Sequence, residues 1–484
     1  MTTELSLVPW PAELETGGTP FVLDDSTVLV PDPGAEPTRL AEQLAAHLRS
    51  ATGLPLPVTP GATPQANAAV RLALITDESL GREGYELTVT AEEVVIRAAA
   101  PAGLFYGAQT LRQLVPAGDR AVPGVRVRDV PRFGWRGMML DIARHFFGTA
   151  DIERFIDLVA LYKINVVHLH LSDDQGWRLE IDGWPELARV GGRGQVGGGP
   201  GGYLSKAAYR EIVAYAAQRY VTIVPEIDLP GHTNAALVAY PELSASEQPP
   251  EPYTGTRVGF SSLRVDSPQT AKFVRAVLTE VAELTPGPYV HIGGDEALST
   301  PPDDYVRFMR DTVPVVASSG KQAVGWQEIV RAGLGPDALV QYWNTRQPEQ
   351  AAEAARAGAR LIMSPAAHVY LDMKYHDDWH LGQDWAGCVD VHDAYGWDPG
   401  TLVDGVDDTV VDGVEAALWT ETITTMADIE VMTFPRLPAV AEVAWTPQAR
   451  RDWDHFRARL AGHVRLWQAL SVAFYRSEQV DWER

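Results

Sequence analysis

Apolar residues recur along this chain in two rhythms, and the change between them falls near residue 130. In the first stretch, Phe21-Val22-Leu23, Thr27 to Val30 and Val70 to Ile75 are apolar runs of strand length. Tyr85 to Val89 and Val94 to Ile96 flank a polar Thr90 to Glu93 and predict a hairpin-like pair. Two amphipathic stretches accompany them. Thr38 to Ser50 sets Leu40, Leu44 and Leu48 on one helical face, and Ala102 to Val115 does the same with Leu104, Gly107-Ala108, Leu111 and Leu114. This mixture predicts a small α/β supporting domain, a sheet with helices, over residues 1–130. The Pro- and Gly-rich run Pro116 to Pro131 is expected to mark its boundary.

From Trp135 onward strand-length runs alternate with helical patterns. Eight strands are predicted: Arg136 to Ile142, Ile164 to Leu171, Val221 to Ile227, Tyr289 to Ile292, Gln322 to Gln327, Leu339 to Asn344, Arg360 to Ser364 and Val414 to Thr420. Asp151 to Tyr162, Lys206 to Arg219 and Pro268 to Leu284 read as helices between them. Alternating strand and helix implies a parallel sheet, and eight units fit a (β/α)8 barrel of the TIM type over residues 131–450. Phe456, Leu460, His463-Val464 and Trp467 line one side of a terminal helix, so residues 451–484 are expected to pack on the barrel. The run Gly191 to Gly202 is expected to be a mobile loop, and it lacks the Lys-Ser/Thr of a phosphate cradle.

In a (β/α)8 barrel the active site lies at the C-terminal strand ends. Those ends carry Asp141 and Arg144, Asp173-Asp174, Glu226 with Asp228 and His232, Asp295-Glu296, Trp326 with Glu328, Trp343, Tyr370 with Asp372, and Trp419 with Glu421. One crown of acids and aromatics with a single arginine is a functional pattern rather than a packing one.

Composition narrows the choice of partner. With 40 basic and 64 acidic residues the net charge is −24, which opposes a phosphate backbone, so nucleic acid is not expected. The single cysteine, Cys388, excludes an internal disulfide and a cysteine-based metal cluster. No stretch approaches ~18 uninterrupted apolar residues, so no membrane span is expected. Met1-Thr2-Thr3-Glu4 has neither a basic nor an apolar leader region, so a cytoplasmic location is expected, or secretion if a leader was trimmed. The sequence does not address oligomeric state.

Val290 to Glu296 ends an apolar strand at Gly293-Gly294 and then presents two adjacent carboxylates. Neighbouring acids repel, which favours one of them keeping its proton. Glu296 is the candidate general acid for cleaving a glycosidic bond. Adjacent residues do not straddle a sugar ring, so a protein nucleophile would come from another strand, with Glu226, Glu328 and Glu421 as candidates. Otherwise the substrate supplies the nucleophile and Asp295 positions it; spacing alone leaves both open. Two other readings compete. His168-Leu169-His170, His232 and His291 could hold a metal for a metal-dependent barrel hydrolase, although both His168 and His170 precede the strand end. A non-catalytic carbohydrate-binding protein would use the same aromatics but leave the Asp295-Glu296 pair unexplained.

The motifs resemble those of the family 20 glycoside hydrolases, the β-N-acetylhexosaminidases, particularly bacterial ones. The matching segments are Arg136-Gly137 through Asp141-Ile142-Ala143-Arg144-His145-Phe146-Phe147, Asn165 to Trp177, Val224 to His232, His291 to Glu296, Gly325 to Glu328, Tyr370-Leu371-Asp372 and Leu418 to Glu421. The resemblance implies exo-acting, retaining removal of terminal β-linked N-acetylglucosamine or N-acetylgalactosamine, without cofactor or metal. It also implies substrate-assisted catalysis through an oxazolinium intermediate, as this family departs from the two-carboxylate scheme. By resemblance, Glu296 is the acid and then the base, Asp295 orients the 2-acetamido group, and Tyr370 donates to its oxygen. Trp326, Trp343 and Trp419 enclose the sugar. Arg144, Asp372 and Glu421 hold its outer hydroxyls, and Asp173 and His232 tune Glu296. Tyr375-His376-Asp377 repeats the Tyr-x-Asp pattern and competes with Tyr370 and Asp372 for their roles. Trp385 is open to either a leaving-group wall or a core position.

Overall fold

The structure, a computed structural model, describes residues 5–62, 69–116, 118–246 and 250–482. The N-terminal tetrapeptide on which the leader reading rests lies outside them. The chain forms two compact units: one runs to Arg132 and takes in Leu161–Lys163 and the chain from Ala441 onward, and the other comprises Phe133–Ala160 and Ile164–Val440.

The first unit is built on a six-stranded sheet. Its strands are β1 (Glu13–Thr16), β3 (Val28–Pro31), β4 (Ala69–Leu74), β5 (Tyr85–Val89), β6 (Glu93–Ala98) and β8 (Val125–Asp129), in the order β1-β8-β5-β6-β4-β3. A separate two-stranded ribbon pairs β2 (Phe21–Val22) with β7 (Ala121–Val122). Helices Ala35–Thr52 and Pro101–Leu114 bury the leucine faces expected of them. The boundary falls where the run Pro116 to Pro131 ends, but the run is not a linker, since it contains β7 and β8 of the first unit. In β8, Val125, Val127 and Asp129 are buried while Arg126 and Arg128 face outward, an alternation that flanking Pro and Gly had masked.

The C-terminal segment is a second correction, because it groups with this first unit. It is also two helices, Trp453–Ala461 and Val464–Ala469, separated at Gly462-His463. Its ties are specific: the buried Arg459 guanidinium pairs with Glu442, and Trp467 donates to the Tyr162 hydroxyl at 2.8 Å. Amphipathic spacing shows that a helix buries one face but not what covers it.

The second unit is a closed barrel of eight parallel strands: β9 (Trp135–Asp141), β10 (Val166–His170), β11 (Thr222–Glu226), β12 (Tyr289–His291), β13 (Gln322–Trp326), β14 (Ala338–Tyr342), β15 (Leu361–Met363) and β16 (Val411–Leu418). Each overlaps one of the eight expected strands. Helix Pro268–Leu284 falls on its expected span, with Ser267 capping it through its side chain. Among the described residues no helix is long and apolar enough to cross a membrane.

The barrel interior is partly apolar, with Trp135, Val166, Val224, Val324, Leu339 and Ile362 in one layer. Above them lies a polar network. Glu415 lies 2.8 Å from His168 Nδ1 and accepts from Gln341 and the Trp135 indole, each at 2.8 Å. Glu226 lies 2.5 Å from His170 Nδ1 and accepts from the Trp326 indole at 2.8 Å.

The glycine-rich loop Gly191 to Gly202, expected to be mobile, is pinned rather than free. The buried Arg178 guanidinium donates to the carbonyls of Gly192, Gly194 and Gly202 at 2.8–3.0 Å, and to Ile142 and Ala143 of the β9 loop at 2.8 and 2.5 Å. A Cβ on Gly202 would lie 2.2 Å from the Phe146 ring, so glycine here serves close approach.

Candidate active site

Parallel strands place all eight C-terminal ends on one side of the barrel. A cavity of about 380 Å³ opens there, lined by Arg144, Asp295, Glu296, Trp343, Tyr370, Asp372, Trp419 and Glu421 among others. Eight of the sequence-predicted site residues therefore converge.

The acids are delivered by a kink after β12. Gly293 and Gly294 have φ of 65° and 105°, and Glu296 itself has φ of 43°. A Cβ on Gly293 would fall 1.8 Å from Asp228 Oδ1, so only glycine fits. That same oxygen accepts from the Gly294 N–H at 3.0 Å, and the Tyr305 hydroxyl donates to the Gly294 carbonyl at 2.7 Å. A non-glycine residue in the left-handed region costs about 1–3 kcal/mol, which the surrounding bonds must offset.

The two carboxylates then differ in environment. The Asp295 side chain is 11% exposed, whereas the Glu296 side chain is 33% exposed. His232 Nε2 lies 3.6 Å from Asp295 and 3.5 Å from Glu296. Its Nδ1 lies 3.2 Å from Asp173, whose other oxygen is 2.8 Å from both Arg144 and His170. Burial opposes charge on Asp173, but Arg144 and His232 hold its carboxyl well below the usual range. Burial likewise opposes charge on His232, yet Asp173 and Asp295 keep it protonated. For Asp295 burial wins: despite His232, and with Glu296 adding repulsion, its carboxyl is pushed up to about 6. Repulsion alone, as read from the sequence, does not show that the two carboxylates differ in burial; the structure makes Asp295 the more deeply buried of the two.

The cavity also presents carboxylate oxygens without protein partners. Neither oxygen of Asp372 is hydrogen-bonded, and Glu421 Oε2 and Asp295 Oδ1 are likewise unpartnered. Burial, reinforced by Glu421, pushes Asp372 well above the usual carboxylate range. Arg144 is aimed by Asp141, which accepts the N–H groups of Ala143 and Arg144 at 2.7 and 3.0 Å. The Arg144 guanidinium sits 4.7 Å from the Trp419 ring centre, and its Nε has no partner. Open acceptors and an open donor in a half-enclosed space suit a ring bearing hydroxyls.

Aromatic rings form the walls. Trp343 and Tyr370 are nearly parallel at 15° with centres 6.3 Å apart, and Trp385 stands edge-on to each at 5.8 Å. Trp385 thus lines the cavity. Trp326 does not line it. Only 1% exposed, it packs 5.8 Å from Trp419 and donates its indole N–H to Glu226. Tyr375 is also elsewhere, its hydroxyl donating to the backbone carbonyls of Val431 and Phe434, so Tyr370 and Asp372 are the pair that reaches the cavity.

Of the candidate nucleophiles, Glu226 is wholly buried with both oxygens engaged. Glu328 accepts from the Trp343 indole at 3.1 Å and does not line the cavity. Burial, with Asp295 nearby, pushes Glu328 up to about 8. Only Glu421 remains on the cavity surface. The histidines of the metal reading are drawn into the protein's own network. His168, Glu226 and His291 lie close together, as do two trios containing His232. His168 Nδ1 is held by Glu415, Glu226 is shared with His170 and the Trp326 indole, and His232 Nδ1 is turned to Asp173.

Sequence reasoning missed the cavity residues Thr256, Val258, Asn344, Thr345, Arg346 and Gln383. They sit on loops, where periodicity carries no signal.

A (β/α)8 barrel with paired acids, aromatic walls and open hydroxyl-binding groups at its strand ends is a carbohydrate-cleaving enzyme. Residues 133–303 and 297–448 match the model of the glycosyl hydrolase family 20 catalytic domain, and residues 4–130 match that family's domain 2. The chain belongs to glycosyl hydrolase family 20. It is 46% identical over 486 residues to a β-N-acetylhexosaminidase of Cellulomonas fimi, covering 99% of this chain and 97% of that one. The family 20 β-N-acetylhexosaminidase of Streptomyces coelicolor A3(2) superposes with a TM-score of 0.96 at 48% identity, covering 99% of both chains. A mutant Streptomyces plicatus β-hexosaminidase in complex with its product, GlcNAc, gives the same TM-score and identity over 99% and 98% of the two chains.

Proposed function

We propose that this chain removes terminal β-linked N-acetylhexosamine with retention, the substrate's own acetamido oxygen acting as nucleophile. The observation that carries this reading is the asymmetry of the acids. Two of the three candidate protein nucleophiles are spent inside the protein, while Asp295 and Glu296 face one space from one strand end.

In the first step the acetamido oxygen bonds to the anomeric carbon as the glycosidic bond breaks, and Glu296 gives its proton to the departing oxygen. Tethering makes this attack intramolecular. Asp295, ionised, faces the acetamido N–H and stabilises the positive oxazolinium, while the Tyr370 hydroxyl donates to the acetamido oxygen. In the second step water attacks the anomeric carbon, Glu296 takes its proton, and the ring reopens. Two inversions give net retention. Trp343 and Trp419 enclose the sugar, with Trp326 supporting Trp419 from behind. Arg144, Asp372 and Glu421 grip the outer hydroxyls, and the His232–Asp173 pair fixes the acids' surroundings. The test is a turnover panel of aryl N-acetyl-glucosaminides, N-acetyl-galactosaminides and chito-oligosaccharides, with product anomers followed by NMR. A β-anomer first product is expected. Equal cleavage of a 2-hydroxy analogue would overturn substrate assistance.

A further inference from the structure

Arg436 is 0% exposed and does not itself line the cavity. Its guanidinium donates to the carbonyls of Leu371 at 2.6 Å, Met373 at 2.8 Å, Val389 at 2.7 Å and Met432 at 2.6 Å. Its Cζ lies 3.8 Å from the Tyr375 ring centre. A buried cation that ends on carbonyls rather than on a carboxylate pays for its burial with backbone order. Leu371 and Met373 are the two residues flanking Asp372, so the clamp grips the chain on both sides of that one side chain. The remaining ties run the same way: the Leu371 N–H donates to the Ala417 carbonyl at 2.7 Å, and the Gln383 N–H to the Asp372 carbonyl at 2.8 Å. The Asp372 carboxyl is left with no protein partner on either oxygen, facing the cavity. The nearest groups that favour its charge are the backbone N–H groups of Asp372 and Trp419, so the course of the backbone sets its direction.

We propose that Arg436 is a positioning residue for sugar recognition, aiming the unpartnered Asp372 carboxyl into the cavity through the carbonyls on either side of it. This rests on the glycosidase reading above. It explains why Tyr370-Leu371-Asp372, rather than Tyr375-His376-Asp377, reaches the site: the ring of Tyr375 is stacked on the clamp. Lysine, a point charge with three donors, cannot bridge the same carbonyls.

The test is a double-mutant cycle of Arg436→Lys and Asp372→Asn, read as kcat and KM on an aryl N-acetyl-β-glucosaminide. Arg436→Lys is expected to lower kcat/KM about tenfold, mostly through KM, and to have less than about a twofold effect in the Asp372→Asn background. Equal losses in both backgrounds would overturn the proposal. If Arg436→Lys shows no cooperative melting transition, Arg436→Gln enters the same cycle. If neither variant folds, the clamp is structural alone and the proposal fails. An inactive wild type would sink the glycosidase reading by itself; the cycle is then read on N-acetylglucosamine affinity by calorimetry, with the same two outcomes.

Discussion

Two layers of the same barrel hold buried carboxylates, and they treat them in opposite ways. In the lower layer Glu226 and Glu415 have partners on both oxygens, drawn from imidazoles, indoles and Gln341. At the strand ends Asp372 has none, and Asp295 and Glu421 each keep an open oxygen. Burial alone does not mark the site, since Glu226 and Asp372 are both buried. Their hydrogen bonding differs: Glu226 and Glu415 have their bonds made and hold the barrel together, while the acids lining the cavity keep acceptors open to a ligand.

The sharpest probe of that contrast is at the mouth. Glu296→Gln should lose about 10²–10⁴-fold in kcat on substrates with poor leaving groups, and far less on an activated aryl glycoside. Equal losses on both would remove its acid role. Asp295→Asn should cost about 10²–10³-fold on every substrate, activated or not. The wild-type kcat/KM should also fall as pH drops through about 6, where Asp295 takes up its proton. A profile flat to pH 5 would show that Asp295 need not be ionised.

In the lower layer the loss should appear in stability instead. Glu226→Gln breaks a buried charged network and should destabilise the fold by about 3–5 kcal/mol, read by denaturant titration. Asp372→Asn should show the reverse pattern, with kcat/KM down by roughly 10–100-fold and the melting temperature unchanged or higher, because an unpaired buried acid is removed. If Asp372→Asn melts early and Glu226→Gln does not, the contrast between the layers is wrong. The smallest effect concerns Glu328. Its carboxyl is raised from 4.5 to about 8, so the folded state holds that proton more tightly than the unfolded chain. The associated stability is full below about pH 4 and is lost as pH rises through about 8. The melting temperature of Glu328→Gln relative to wild type should therefore climb between pH 5 and 9; a constant difference would contradict the shift.

Much of this was legible in the residues. All eight barrel strands, helix Pro268–Leu284 and the Asp295-Glu296 pair follow from local pattern and spacing. The misses share a cause. β8 was hidden by neighbouring Pro and Gly although its alternation was present, and the terminal helices gave a face without its partner. The loop Gly191 to Gly202 looked free because Arg178, which immobilises it, makes only side-chain to backbone bonds that no motif announces.

The sequence by itself determined the barrel, the carboxylate pair and the aromatic strand ends, because hydrophobic period and motif spacing are local properties of the chain. Tertiary structure decided which of those groups face the ligand. It turned Trp326 inward and Trp385 outward, chose Tyr370 over Tyr375, and gave Asp295 rather than its neighbour the greater burial. Side-chain direction, desolvation and hydrogen-bond satisfaction depend on residues up to hundreds of positions away, brought together only when the barrel closes.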